Sequence, residues 1–219
     1  MCGRFFLNII KQDLEAQFEV PLADDLQPRF NISPSQKVLG LCWEERERPV
    51  WKYLQWGLVP HWAKDVKSAY RTINARAETL KEKPSYREAY KKRRCLIPAN
   101  GYYEWVPGTD GKQPHAIIFN QPLIAFGGLW EIWNKGAERL SSCSIITGPS
   151  RQSLAHIHHR EPLVIDNSAY QVWINPDTPF DQIDNFCNRS PQVESDIHKV
   201  SKSVNNPANE GRELLRPID

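Results

Sequence analysis

No stretch of this sequence approaches the ~18 consecutive apolar residues that a membrane-spanning helix needs. Its opening, MCGRFFLNIIKQ, is too short and too polar for a secretory signal. A non-membrane, cytoplasmic protein is therefore expected. No C-x-x-C pair occurs. The five cysteines (Cys2, Cys42, Cys95, Cys143 and Cys187) are odd in number and widely separated, which argues against a disulfide framework or a thiolate metal site. Charge excess is missing too. With 28 Lys and Arg against 26 Asp and Glu, bulk charge announces no nucleic-acid partner, and any basic surface must be local. Repeats, low-complexity tracts and Gly/Ser-rich linkers are also absent. The 219 residues therefore read as one domain, residues 1–219, long enough to enclose a substantial core.

What is present is a strand-rich pattern cut at short intervals by seventeen prolines and eleven glycines. The segments KVLGLCW, VWKYLQW, RCLIPA, HAIIF, PLIAFGGLW, SSCSIIT and EPLVI read as short strands. Apolar residues at Ile10, Leu14 and Phe18 predict a helix over residues 8–18. Pro84 opens a second over 84–92, and two more are expected over 168–174 and 179–187. The expected fold class is α+β: one domain with a strand-rich, barrel-like mixed sheet and peripheral helices.

Four polar residues stand inside aromatic or apolar segments, where an idle polar group is costly. They are Cys2 in MCGRF, Asn74 in TINARAET, Glu104 in NGYYEWV and His158 in AHIHHREP. Each alone has a plain structural explanation. Asn74 suits a turn, Glu104 suits a solvated strand position, and a lone histidine is usually structural. His156, His158 and His159 raise a metal site, but no third ligand follows at recognisable spacing, so no metal or other cofactor is expected. Trp56, Trp62, Tyr102, Tyr103, Trp105, Trp130 and Trp133 are most simply core. Tryptophans near arginines also describe a stacking platform for unpaired bases. The run KKRR at 91–94 reads as a solvated helix end.

Taken together and in order, MCGRF, PRFNISPSQ, WGLVPHWA, INARAET, RRCLIPANGYYEW, FGGLWE, IHHREP and VSKSVNN resemble the SRAP family, the SOS response-associated peptidase proteins. Two departures stand out. Glu161 replaces a common methionine, placing a carboxylate beside the candidate histidine, and TGPS at 147–150 replaces the usual Thr-x-x-Ala-Asn turn. The resemblance implies a monomer that recognises abasic sites in single-stranded DNA, associates with the nucleoid when DNA-bound, and attaches covalently through Cys2. It also implies loss of Met1, an α+β fold on a barrel-like sheet, and no metal. By the same resemblance Cys2, Asn74, Glu104 and His158 are catalytic, Arg4 and Arg76 contact phosphates, and Trp105 stacks on a base.

The chemistry of a terminal cysteine suits that role. Its α-amine titrates near ~7.7, far below the ~10.4 of lysine. It carries a thiol on the adjacent carbon, so one residue can form an imine with an aldehyde and then close a thiazolidine. Two other readings start from the same residue. A cysteine amidohydrolase also begins Met-Cys-Gly and uses the thiol on an amide. A self-processing peptidase would cleave Met1–Cys2 once and stop.

Overall fold

The computed structural model describes residues 2–44, 48–67, 69–188 and 193–218. In chain order its elements are β1 (Phe5–Leu7), α1 (Lys11–Phe18), β2 (Arg29–Ile32), β3 (Lys37–Glu44), β4 (Arg48–Trp56) and β5 (Asn74–Arg76). Then come α2 (Arg87–Lys92), β6 (Arg94–Ala99), β7 (Gly101–Gly108), β8 (Gly111–Phe119), β9 (Ile124–Lys135) and β10 (Glu138–Pro149). The chain ends with β11 (Arg160–Pro162), β12 (Val164–Ile165), α3 (Tyr170–Ile174), α4 (Phe180–Cys187) and β13 (Ser195–Lys199). The expected α+β class and barrel-like sheet are what the chain forms.

Five strands close on themselves. β10 runs antiparallel to β9, β9 to β6, β6 to β3 and β3 to β4, and a short parallel pairing of β4 with β10 (Gln55 to Ser142, Trp56 to Cys143) completes the ring. Closure satisfies the strand edges that an open sheet would leave unpaired. Inside the ring, Cys42, Leu54, Cys95, Ile97 and Cys143 are wholly buried. Gly128 makes room for two of them: a Cβ there would lie 2.9 Å from Cys95 Sγ and 3.0 Å from Ile97 Cδ1.

A second sheet, ordered β13-β8-β7-β1-β2 and antiparallel throughout, packs beside the barrel. Alternation along its strands divides its two faces. Phe5 and Tyr102 point to the barrel, where the Phe5 ring meets Trp56 and Phe126 edge-on at 5.2 and 5.9 Å. Phe6, Tyr103 and Ala116 point the other way, against Val200, Val204 and Leu214 of the C-terminal segment.

Some expected boundaries shift for identifiable reasons. The first helix begins at Lys11, because Asn8 donates its N–H to Asn100 Oδ1 and Ile10 is extended. The second begins at Arg87, after turns that include Tyr86 N–H donating to Lys83 O. The third is reduced to Tyr170–Ile174 behind a 3₁₀ turn, while the fourth matches apart from Pro179, which caps it. EPLVI splits into β11 and β12, which pair with different strands, β10 and β9. Arg94 is a correction of a different kind. It is buried, donating from Nε to Trp173 O, from Nη1 to Tyr90 O and Lys91 O, and from Nη2 to Asn175 O. One guanidinium thus ends both α2 and α3. Burial pushes its pKa down to about 10, so it keeps its charge at neutral pH.

The crossing of β1 and β7 allows no side chain at Gly101. A Cβ there would stand 2.2 Å from Ile117 O and 2.4 Å from Phe6 Cζ. Gly101→Ala is expected to destabilise the protein by about 1–3 kcal/mol, seen as a lower urea midpoint at unchanged denaturant sensitivity.

Candidate active site

The start of the chain is pinned against β7, with Tyr103 N–H donating to Arg4 O at 2.9 Å. This seats Cys2 at the junction of the two sheets, fully buried. Asn74 opens β5, the short strand that runs parallel to β10 beyond the end of β4. Its Nδ2 donates to Cys2 O at 2.7 Å, and Tyr86 OH donates to Asn74 O at 3.2 Å, so the strand that brings Asn74 is itself tied down. Among the described residues, Asn74 Oδ1 is buried without a hydrogen-bond partner. Glu104 shares the barrel-facing side of β7 with Tyr102 and is also buried.

His158 follows a 3₁₀ turn and precedes β11. Its backbone N–H donates to Leu154 O, and its ring stacks on His159 with centroids 4.3 Å apart. Nδ1 lies 3.0 Å from Arg160 N–H and 3.2 Å from Arg160 O. A neutral ring accepts from the N–H, and a protonated ring donates to the carbonyl. The imidazole therefore has a partner in either state, as a group that takes and returns a proton requires.

Electrostatics tie these residues together. Burial first, and then the Glu104 carboxylate, push the Cys2 thiol far above its ordinary range. Burial pushes the His158 imidazole down, against the upward pull of the same carboxylate. Glu104 thus stands within electrostatic reach of both. Cys2, Asn74, Glu104 and His158, widely spaced in sequence, form one cluster. Among the described residues, no group of three or more His, Cys, Asp or Glu side chains is arranged to hold a metal ion.

The three residues expected on DNA fall in different settings. Arg76 is exposed, two residues along β5 from Asn74 and therefore on the same side of the strand. Arg4 is partly buried: its Nη1 donates to Asn31 Oδ1 (2.6 Å) and Val204 O (2.7 Å), and its guanidinium sits 5.7 Å from the Trp105 ring centroid. Trp105 lies on the opposite side of β7 from Glu104, with its indole N–H donating to Asn205 Oδ1. Asn31 Nδ2 donates to three carbonyls of the C-terminal segment, so PRFNISP and VSKSVNN serve to lock that segment down.

Both departures from the family pattern are engaged structurally. Glu161 Oε1 accepts from Arg151 N–H at 2.7 Å and Oε2 lies 3.3 Å from Arg151 Nε, so this carboxylate anchors the turn after β10. Thr147 of TGPS accepts from Arg160 through both its hydroxyl and its carbonyl. The same arginine forms a two-pronged ion pair with Glu78, at 2.8 and 2.9 Å. Arg160 and Glu78 hold the His158 loop to β5 and β10, and sequence reading missed both. It also placed Trp62 in the core, whereas Trp62 is 56% and Tyr70 61% exposed. Both sit on the loop that Leu58 N–H and Thr72 O close just before β5. The flanking Pro60, His61, Lys64 and Lys67 were the available sign that this loop is solvated.

The geometry defines a single-domain α+β barrel protein whose polar centre is built around a cysteine at the second position. The chain belongs to the SOS response associated peptidase (SRAP) family, whose pattern matches residues 1–207. It is 37% identical to the abasic site processing protein YoqW of Bacillus subtilis, over 98% of this chain and 99% of that one. The abasic site processing protein HMCES of Gallus gallus is 31% identical over 76% of this chain, which spans 57% of that longer protein. A crystal structure from Bacteroides thetaiotaomicron shares the fold with a TM-score of 0.85 at 21% identity, over 99% of this chain and all of that one.

An NMR titration of the imidazole checks the electrostatics. His158 is expected to titrate below 6.5, the ordinary histidine value, and lower still in Glu104→Gln, which removes the charge that pulls it up. An unchanged or raised midpoint in the variant contradicts the proximity of the two groups.

Proposed function

We propose that this protein recognises abasic sites in single-stranded DNA and captures them covalently at Cys2. The observation that carries the reading is the cluster itself: Cys2 held through its carbonyl by Asn74, with Glu104 and His158 in electrostatic reach. Relatives that match nearly the whole chain bear the name abasic site processing protein, and this supports the same substrate class here.

The mechanism needs Cys2 as the first residue, after removal of Met1, which lies outside the described residues. An abasic deoxyribose is mostly a closed hemiacetal. His158 donates a proton to the ring oxygen as the sugar opens to its aldehyde. The Cys2 α-amine attacks that carbonyl carbon, and Glu104 relays the proton that converts the hydroxyl into departing water, leaving an imine. The thiol then adds to the imine carbon. A C–S bond forms, the thiol proton passes to nitrogen, and a five-membered thiazolidine results. This last step is intramolecular, with effective molarities that reach ~10⁵ M or more. If His158 instead takes a proton from the sugar carbon next to the imine, elimination cleaves the strand, which is lyase activity. Asn74 orients the Cys2 backbone and offers Oδ1 to a sugar hydroxyl.

The thiol's protonated, buried state suits this order, with the amine attacking first. Self-cleavage of Met1–Cys2 by the same Cys2, Glu104 and His158 is compatible with the cluster and constitutes processing rather than turnover.

Phosphate contacts provide sequence-independent affinity, which suits damage that arises anywhere. Arg76 is exposed and reaches a phosphate at no structural cost. Hydrogen bonds to charged groups contribute about 1.5–3 kcal/mol each. Arg4 therefore acts as a fixed positive charge, since swinging it out would forfeit two. Trp105, with Trp62 and Tyr70 on the loop before β5, offers partly or well exposed aromatic surface to unpaired bases. The protein is read as a monomer that needs no cofactor.

Intact-mass measurement after incubation with an abasic single-stranded oligonucleotide tests the reading. The expected product is protein plus DNA minus one water, absent in Cys2→Ala. Undiminished adduct in that variant excludes Cys2 as the attachment point. Glu104→Gln is expected to slow adduct formation on the order of 10²-fold, and a normal rate removes Glu104 from the mechanism. Arg76→Ala is expected to reduce the salt dependence of binding by about one phosphate contact; an unchanged slope shows that Arg76 touches none.

A further inference from the structure

The register of the second sheet places another charged group next to the cluster. On β7, β8 and β13, Glu104 pairs with His115, and His115 pairs with Lys199. Directly paired residues in an antiparallel sheet project from the same face about 5 Å apart. Glu104, His115 and Lys199 therefore form one row across three strands, running outward from the catalytic cluster. Exposure rises along it: Glu104 is buried, His115 half-buried and Lys199 exposed. The end away from Glu104, Lys199, is positive. Burial, and then the field of Lys199 beside it, lower the His115 pKa. Among the described residues no carboxylate forms an ion pair with Lys199 or His156.

A row that begins at Glu104, beside the cluster, and ends at an exposed lysine fits an anionic polymer passing through the site. We propose that Lys199, with His115 beside it, is a backbone-phosphate subsite for the DNA strand on one side of the abasic sugar, distinct from Arg76 on β5. The proposal rests on the abasic-DNA reading. It adds a second fixed point, on the opposite sheet, so that the sugar is held between two phosphate contacts over Cys2. Lys199 supplies the charge. His115 is held through Nδ1, 3.1 Å from Gln113 O, and turns its other nitrogen outward from that bond.

The test is a walk of neutral methylphosphonate linkages along a single-stranded oligonucleotide, with and without a central abasic site. Binding is read by fluorescence anisotropy for wild type, Lys199→Gln, Lys199→Arg and His115→Gln. Lys199→Gln is expected to weaken binding three- to tenfold at low salt and to lower the salt slope by about one, with Lys199→Arg restoring both. One linkage position is expected to weaken wild type when neutralised but to leave Lys199→Gln unaffected, and His115→Gln should shrink the same penalty. Equal penalties at every position in wild type and Lys199→Gln, or an unchanged salt slope, overturn the subsite. Because intact strands carry the same phosphates, the coupling is measured whether or not an adduct forms. A lost adduct with the coupling retained refutes the capture chemistry alone.

Discussion

Strand β10 is the constraint on which the rest depends. It pairs along one edge with β9 and then β11, and along the other with β4 and then β5. Two of these pairings, with β9 and β4, close the barrel. The other two bring in candidate site residues: β5 carries Asn74, and β11 begins two residues after His158. A strand twelve residues long can do both, since its pairing with β4 covers only Ser142 and Cys143 and leaves the next residues to β5. Closing the barrel and assembling the site are thus one set of hydrogen bonds, and damage to the register of β10 would displace Asn74 and the His158 loop together.

The charges around the site follow from burial. Burial first, and then Glu104, raise the Cys2 thiol, while burial lowers the His158 imidazole against the upward pull of the same carboxylate. One buried acid thus acts on both the sulfur and the ring. Arginines secure the surroundings: Arg160 on Glu78 and Thr147, Arg151 on Glu161, Arg94 on the ends of two helices. Each is tied down by carboxylates or carbonyl and hydroxyl oxygens, and Arg160 and Arg151 together fasten the two ends of the His158 loop.

Much of this was legible in the chain. Long apolar runs such as KVLGLCW and PLIAFGGLW became barrel strands because a strand buried on both faces needs no polar alternation. The four polar residues stood out because each interrupts such surroundings. Less legible were β1, β2, β5 and β13, which are short, and β5 carries an arginine in three residues. Trp62 and Arg94 misled in opposite directions. An aromatic residue reads as core and a charged run as surface, yet Trp62 projects on a polar loop and Arg94 finds four carbonyls inside. Neither the loop closure nor the paired helix ends have a local signature.

The sequence by itself determined the composition of the core and the strand-rich class, and singled out Cys2 as the candidate reactive residue, because these follow from side-chain chemistry and from short-range pattern. Only the tertiary structure decided which polar groups meet. Cys2, Asn74, Glu104 and His158 come from four segments, and their proximity depends on the closing of β10 against β4. The same is true of the row from Glu104 to Lys199, which exists only through the pairing of three strands. Contacts between distant segments depend on register and closure, and those are properties of the whole fold.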